Sequence, residues 1–270
     1  MTGLEPLALS LGLWLWFLLR HGHPRARSVP GLLLQGLIGG VLAALPAAAL
    51  NDAFLEALGV RGLGSLHDPV QAGIVALWVG FNEELVKFLA TGLWVARLRR
   101  FREPIDGVLY ATTVALFFAT YENVIYMSNF GTGVLLPRSF TAVPLHLGLA
   151  VIWGTALTHR TYFRTPLFST YAPPLLLAAL LHAGFNYVQF VVDSPGWSLV
   201  AALACAFAIF RFMRGRLAQL QRESPYVRAG SCTACSAVNP VVANFCGRCG
   251  ADLTRRFYQA CKGCGTRTEI

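Results

Sequence analysis

The chain has 270 residues, is 55% hydrophobic and only 13% charged, and carries a formal net charge of +9, with a mean hydropathy of +0.55. Soluble domains carry about 25% charged residues, so an ordinary soluble enzyme is excluded and an all-α polytopic membrane protein is expected. The basic balance would suggest nucleic acid in a soluble chain, but here the arginines sit in connections between apolar runs, where membrane topology accounts for them.

Apolar runs predict about seven transmembrane helices, at about residues 4–19, 29–50, 71–95, 105–127, 140–158, 171–192 and 196–213. The first run starts beside Glu5, lacks a basic lead and an A-x-A cleavage site, and reads as a retained helix. One set of connections holds Arg20, Arg25 and Arg27, then Arg97, Arg99, Arg100 and Arg102, then Arg160 and Arg164; Arg211 near the end of the last run, with Arg214 and Arg216 after it, belongs to the same side. The other set holds Arg61 and Arg138. The positive-inside rule then puts the N-terminus outside and the C-terminal tail in the cytoplasm. Between the second and third runs, Asn51–Pro69 carries Asp52, Glu56, His67 and Asp68. Its Phe54, Leu55 and Leu58 suggest a short interfacial helix, to which no catalytic role is given.

The third run holds Glu83, Glu84 and Lys87 in its middle. Each such charge near the bilayer centre costs about 3 kcal/mol on insertion scales, so a chain that keeps three uses them. At about 100° per residue Lys87 falls between the two glutamates and can pair with either. The fourth run adds Glu122, Asn123 and Tyr126, the fifth His146 behind Arg138, and the sixth His182 and Asn186 at i and i+4. At about 1.5 Å per residue, Glu83 and His182 fall near the midplane, with Glu122, His146 and Asn186 slightly outward. Asp106 falls near the cytoplasmic edge, outside the cluster. Tyr126 and the tryptophans read as packing or interfacial residues, and Glu122 is a candidate partner for Lys87.

The candidate site is therefore Glu83, Glu84, Lys87, Glu122, His146, His182 and Asn186. Two carboxylates in a dry pocket suit general-base and then general-acid work on water, with His and Asn donating to an oxyanion. Two histidines and a glutamate are also a three-ligand catalytic zinc set. An ion or proton path would use the same residues. All three readings stand at this point.

Residues 1–213 form the membrane body, 214–231 a basic linker containing Pro225, and 232–270 a separate module. Cys232-x2-Cys235-x10-Cys246-x2-Cys249 has the spacing of a zinc ribbon, two knuckles supplying four thiolates to a structural Zn2+. Cys261 and Cys264 make a third knuckle without a fourth, and Cys205 is a small apolar residue within a helix. The ribbon's Arg248, Arg255, Arg256, Lys262 and Arg267 suit a protein partner or anionic lipid; tethering to the membrane argues against nucleic acid.

In order, Glu83-Glu84-x-x-Lys87, Pro104-x-Asp106-Gly107-x-x-Tyr110, Phe118-x-x-x-Glu122-Asn123, Arg138 ahead of His146, and His182-x-x-x-Asn186 resemble the PrsW family of intramembrane proteases. That family is similar to the CAAX prenyl endopeptidase (CPBP) group. The resemblance covers about residues 70–190. It implies a protease of a bacterial inner membrane that takes part in regulated intramembrane proteolysis, in some members cutting an anti-sigma factor. It also implies Glu83 and Glu84 as the water-activating carboxylates. Glu122 stands where CAAX endopeptidases have a histidine, which leaves glutamic and metal mechanisms both open. The expectation is a membrane endopeptidase with a cytoplasmic ribbon. The alternative is a non-proteolytic protein of the same fold, an ion- or proton-coupled transporter or a scaffold.

Overall fold

A computed structural model describes residues 4–21, 28–60, 66, 68–95, 101–161, 167–192, 194–224, 229–232, 234–235, 237–240, 243–253, 258–260 and 267–269. Arg25, Arg27, Arg61, His67, Arg97, Arg99, Arg100, Arg164, Arg255, Arg256, Cys261, Lys262 and Cys264 lie outside the described residues.

The helices are α1 (Leu4–Leu19), α2 (Val29–Ala57), α3 (Pro69–Val95), α4 (Asp106–Phe130), α5 (Leu135–Phe140), α6 (Ala142–Thr161), α7 (Leu167–Val191) and α8 (Pro195–Arg222). Local chemistry sets their starts. Ser28 accepts from the Gly31 N–H ahead of α2, and the Asp68 carboxylate accepts from Val70 and Gln71 N–H ahead of α3, so each satisfies donors that a first turn leaves open. Pro30 and Pro69 occupy first-turn positions, where a missing N–H is harmless. Gly131, at φ 82°, ends α4.

Two boundaries differ from expectation. Phe54 and Leu55, expected in a separate interfacial helix, belong to α2, which continues through Ala57. The last helix runs through Arg222, well into the stretch read as a linker, because 214–222 keeps helix formers and buries Leu217 and Leu220. A short 3-10 turn at Thr132–Val134 and α5, not foreseen, join α4 to α6.

Five helical stretches, Val29–Ala57, Asp106–Phe130, Thr132–Arg160, Ser169–Val191 and Pro195–Arg222, are long and apolar enough to cross a membrane. Helix α3 is as long, at 27 residues, but holds Glu83, Glu84 and Lys87; α1, at 16 residues, is shorter. The polarity is that of a membrane protein: Leu9, Trp16, Leu93, Leu176 and Phe207 are exposed while Glu84 and Lys87 are enclosed.

Helix α3 packs on α2 and α7, α4 on α2 and α6, and α6 on α7 and α8. Small residues bring the helices that carry polar groups together. A Cβ at Gly80 would lie 2.7 Å from Ala179 O and Ala183 N of α7, and one at Gly107 would lie 2.7 Å from Thr158 N of α6. The first contact sets Glu83 and Glu84 against His182; the second sets α4, with Glu122, against α6, with His146. Helix α1 is tied to α5 by Trp14 Nε1–H donating to Ser139 O at 3.0 Å. At the other end, Ser224, just past α8, donates to the Glu103 carboxylate ahead of α4.

Among its described residues the tail has two antiparallel strand pairs, β1 (Ala229–Ser231) with β2 (Val238–Pro240), and β3 (Tyr258–Ala260) with β4 (Arg267–Glu269).

Candidate active site and cysteine cluster

Helices α3, α4, α6 and α7 bring six of the seven expected residues together: Glu84, Lys87, Glu122, His146 and His182 form one hydrogen-bonded network, and Glu83 stands beside it. Lys87 Nζ lies 2.5 Å from Glu84 Oε1 and 2.9 Å from His146 Nδ1. His146 Nε2 lies 2.8 Å from Glu122 Oε2. His182 Nδ1 lies 3.0 Å from Glu84 Oε1, and its Nε2 lies 3.8 Å from Glu83 Oε2. The seventh, Asn186, is half-buried one turn beyond His182 and lines the adjoining cavities.

The two adjacent glutamates differ. Glu84 is fully enclosed, and its second oxygen accepts from Trp153 Nε1 at 2.9 Å, so each oxygen is engaged. Glu83 accepts from Asn51 Nδ2 through Oε1 at 3.3 Å, whereas its Oε2 is buried without a hydrogen-bond partner. Glu83 forms part of the wall of a cavity of about 400 Å³ shared with Asn51, Tyr121, Glu122 and Asn186. A second cavity, of about 490 Å³, is lined by Glu122, Arg138, His146, His182, Asn186 and Gln189, among others.

Several expectations change in detail. Lys87 pairs with Glu84 and not equally with both glutamates. Glu122 pairs with Arg138, at 3.1 Å, and with His146, and these take the place of the suggested bond to Lys87. Trp153 packs in the core, edge-on to Phe88, as expected, but its Nε1–H also donates to the site. Tyr126 lies under the Arg138 guanidinium, 3.6 Å from its ring centroid, and lines both cavities. Asp106 stays apart, as expected, accepting from Arg102 and Glu103 N–H at the start of α4. Asn51 and Asn82 went unnoticed in the sequence: Asn82 donates to Asn51 Oδ1 at 2.8 Å and thereby fixes the amide that holds Glu83. The only signal was that Asn82 precedes the glutamate pair.

Glu83, His146 and His182 place one ligand atom each within 4.8 Å of one another, a residue set suited to a divalent metal. The hydrogen bonding does not suit it. An ammonium at His146 Nδ1 needs a lone pair there, so a neutral ring carries its proton on Nε2, where Glu122 accepts it. His146 then has no lone pair for a metal. Two protein ligands remain, Glu83 Oε2 and His182 Nε2, where a catalytic zinc takes three.

In the tail, Cys232 Sγ lies 3.7 Å from Cys249 Sγ, and Cys235 Sγ lies 3.6 Å from Cys246 Sγ; all four sulfurs lie within 4.8 Å of one another. Four thiolates about 2.3 Å from a tetrahedral metal stand about 3.8 Å apart, so the cluster can hold a metal ion, and the four thiols are unbridged. The knuckles share one design: Cys232 N–H donates to Ala237 O and Cys246 N–H to Ala251 O, both at 2.8 Å. Gly250, at φ 70°, closes the second. The Cys249 and Arg248 backbone N–H groups pull the Cys246 thiol down to about 6, favouring the thiolate that a metal needs. Asn239, unnoticed in the sequence, donates to Cys246 Sγ at 3.4 Å and accepts from Gly247 N–H at 2.9 Å.

Residues 29–213 match the family described as PrsW family intramembrane metalloprotease. The chain is 26% identical to Protease PrsW of Shouchella clausii over 68% of this chain and 81% of that protein. It is 24% identical to Protease PrsW of Clostridioides difficile over 56% of this chain and 66% of that protein. It is 36% identical to Protease PrsW of Geobacillus kaustophilus over 43% of this chain and 51% of that protein. No solved structure matches the chain. With the family match covering most of the chain and the polar network buried among membrane-length helices, this protein belongs to the PrsW family and is an intramembrane protease.

Proposed function

We propose that the chain hydrolyses a peptide bond of a membrane protein inside the bilayer, with Glu83 activating water and no metal at the reacting centre. The observation that carries this reading is Glu83 Oε2: a buried carboxylate oxygen without a hydrogen-bond partner, at a cavity wall and 3.8 Å from His182 Nε2. With His182 Nδ1–H given to Glu84, Nε2 keeps its lone pair. A water between the two then donates one hydrogen to each and turns a lone pair toward the substrate carbonyl carbon. As the C–O bond forms, Glu83 takes the proton, and the Asn186 amide donates to the oxyanion. The C–N bond then breaks, and Glu83 returns its proton to the leaving nitrogen.

Glu84 lines neither cavity; it is a positioning residue that orients His182 and neutralises Lys87. Glu122, held by Arg138, fixes His146. Helices α1 and α3 complete seven spans, and the arginine pattern orients them with the N-terminus outside a bacterial inner membrane and the tail in the cytoplasm. An anti-sigma-factor-like regulator is the substrate class. The tail, divided from the body at the end of α8, is a ribbon holding structural Zn2+ and serving to recruit protein partners, not to catalyse. A site at or outward of the midplane is at least about 15 Å from the cytoplasmic face of a core about 30 Å thick.

The test is a comparison of membrane proteomes from cells expressing wild type and Glu83→Gln. A membrane protein shortened by wild type alone supports the reading; identical proteomes with both proteins present at equal levels overturn it.

A further inference from the structure

We infer that Gln189 is a substrate-positioning residue, whose side-chain amide pairs with the main chain of an extended substrate segment lying along α7. The inference rests on the proteolytic reading above. Helix α7 carries His182, Asn186 and Gln189 at i, i+4 and i+7, a spacing that places them in one stripe, and all three line the cavity of about 490 Å³. Gln189 Oε1 accepts from Ser198 Oγ of α8 at 2.7 Å, while Nε2 is buried without a hydrogen-bond partner. Turning the amide over exchanges the atoms but not the result: one end meets Ser198, and the other has no partner. A buried amide end left so costs about 1–3 kcal/mol, a cost that a ligand in the cavity removes.

The substrate supplies such a ligand. A peptide bond within a helix has its carbonyl engaged and its carbon shielded, so cleavage needs an unwound segment whose N–H and C=O groups seek partners away from water. From His182 to Gln189 the stripe rises about 10 Å at about 1.5 Å per residue, the length of about three residues of extended chain at about 3.3 Å each. Gln189 therefore meets a main-chain group about three residues from the scissile bond, toward the α7–α8 connection. Because the partner is backbone, the residue selects for an extended segment of sufficient length and not for a side chain.

The test uses the full chain in detergent and a pool of random twelve-residue apolar peptides. The fastest-cleaved member, with its cut mapped by mass spectrometry, is resynthesised as a series truncated from each end. For the full peptide, Gln189→Met should raise KM roughly five-fold, the size of one net hydrogen bond, with kcat within about two-fold. Once one end is trimmed to two residues from the cut, wild type and Gln189→Met should have equal KM. If Gln189→Met fails to accumulate, Ser198→Ala, which frees the amide to rotate, should raise KM in the same length-dependent way. An equal loss on every truncation, or no loss on the full peptide, overturns the role of Gln189 while leaving proteolysis intact. A pool that wild type leaves uncut, as Glu83→Gln does, overturns the proteolytic reading and the inference with it.

Discussion

Lys87 and Glu84 are both fully enclosed and paired with each other, so each compensates the other's charge. Removing one partner of a buried pair costs about 3–5 kcal/mol, most of it from the charge left behind. Lys87→Met should therefore lower the thermal midpoint of the purified protein markedly, and adding Glu84→Gln should restore part of the loss. Additive losses would show that the two residues are not coupled. Glu83 behaves differently. In Glu83→Gln the amide oxygen still accepts from Asn51 while the base is gone, so the midpoint should stay near wild type. Peptide cleavage in detergent should fall at least about 100-fold, the contribution of a general base. Near-normal turnover would remove Glu83 from the reaction.

At the scale of elements, the site depends on how closely α3 lies on α7. Gly80→Ala puts a methyl 2.7 Å from two backbone atoms of α7, so the helices must part and His182 must move relative to Glu83. Cleavage should fall at least about ten-fold, in keeping with the sensitivity of catalysis to misplacement of about 1 Å. Gly92→Ala, on the same helix with nothing within 4 Å, is the control and should be neutral or slightly stabilising. In the tail, Asn239→Leu removes the donor to Cys246 and should weaken zinc binding about 10–100-fold by competition with a chromophoric chelator, as loss of an outer-shell partner does. Unchanged affinity would reduce Asn239 to a packing residue.

The helical elements were legible in the sequence because apolar length and charge placement report bilayer crossing directly; α1 begins and ends where the first apolar run does. The extensions of α2 and α8 were not, since a helix need not stop where its hydropathy falls. Among site residues, charge in an apolar run singled out Glu83, Glu84, Lys87, Glu122, His146 and His182. Trp153 was hidden because a tryptophan whose Nε1–H meets a buried carboxylate has the same sequence signature as one that only packs. The choice of Glu84 over Glu83 by Lys87 depends on contacts from α6 and α7, which helical spacing on α3 alone cannot report.

At the scale of the whole molecule, charge is enclosed in the middle of the helical body and a cysteine cluster able to hold a metal lies in the tail; the proposed mechanism separates metal from catalysis. The direct measurement is metal content and cleavage activity, side by side, in the full chain and in Cys232→Ser/Cys246→Ser, with and without prolonged chelation in detergent. The account predicts about one zinc per wild-type chain, essentially none in the cysteine variant, and unchanged cleavage of a short peptide by the metal-free variant. Cleavage lost on chelation of the cysteine variant and restored by one equivalent of zinc would contradict it, and would place a metal between Glu83 and His182.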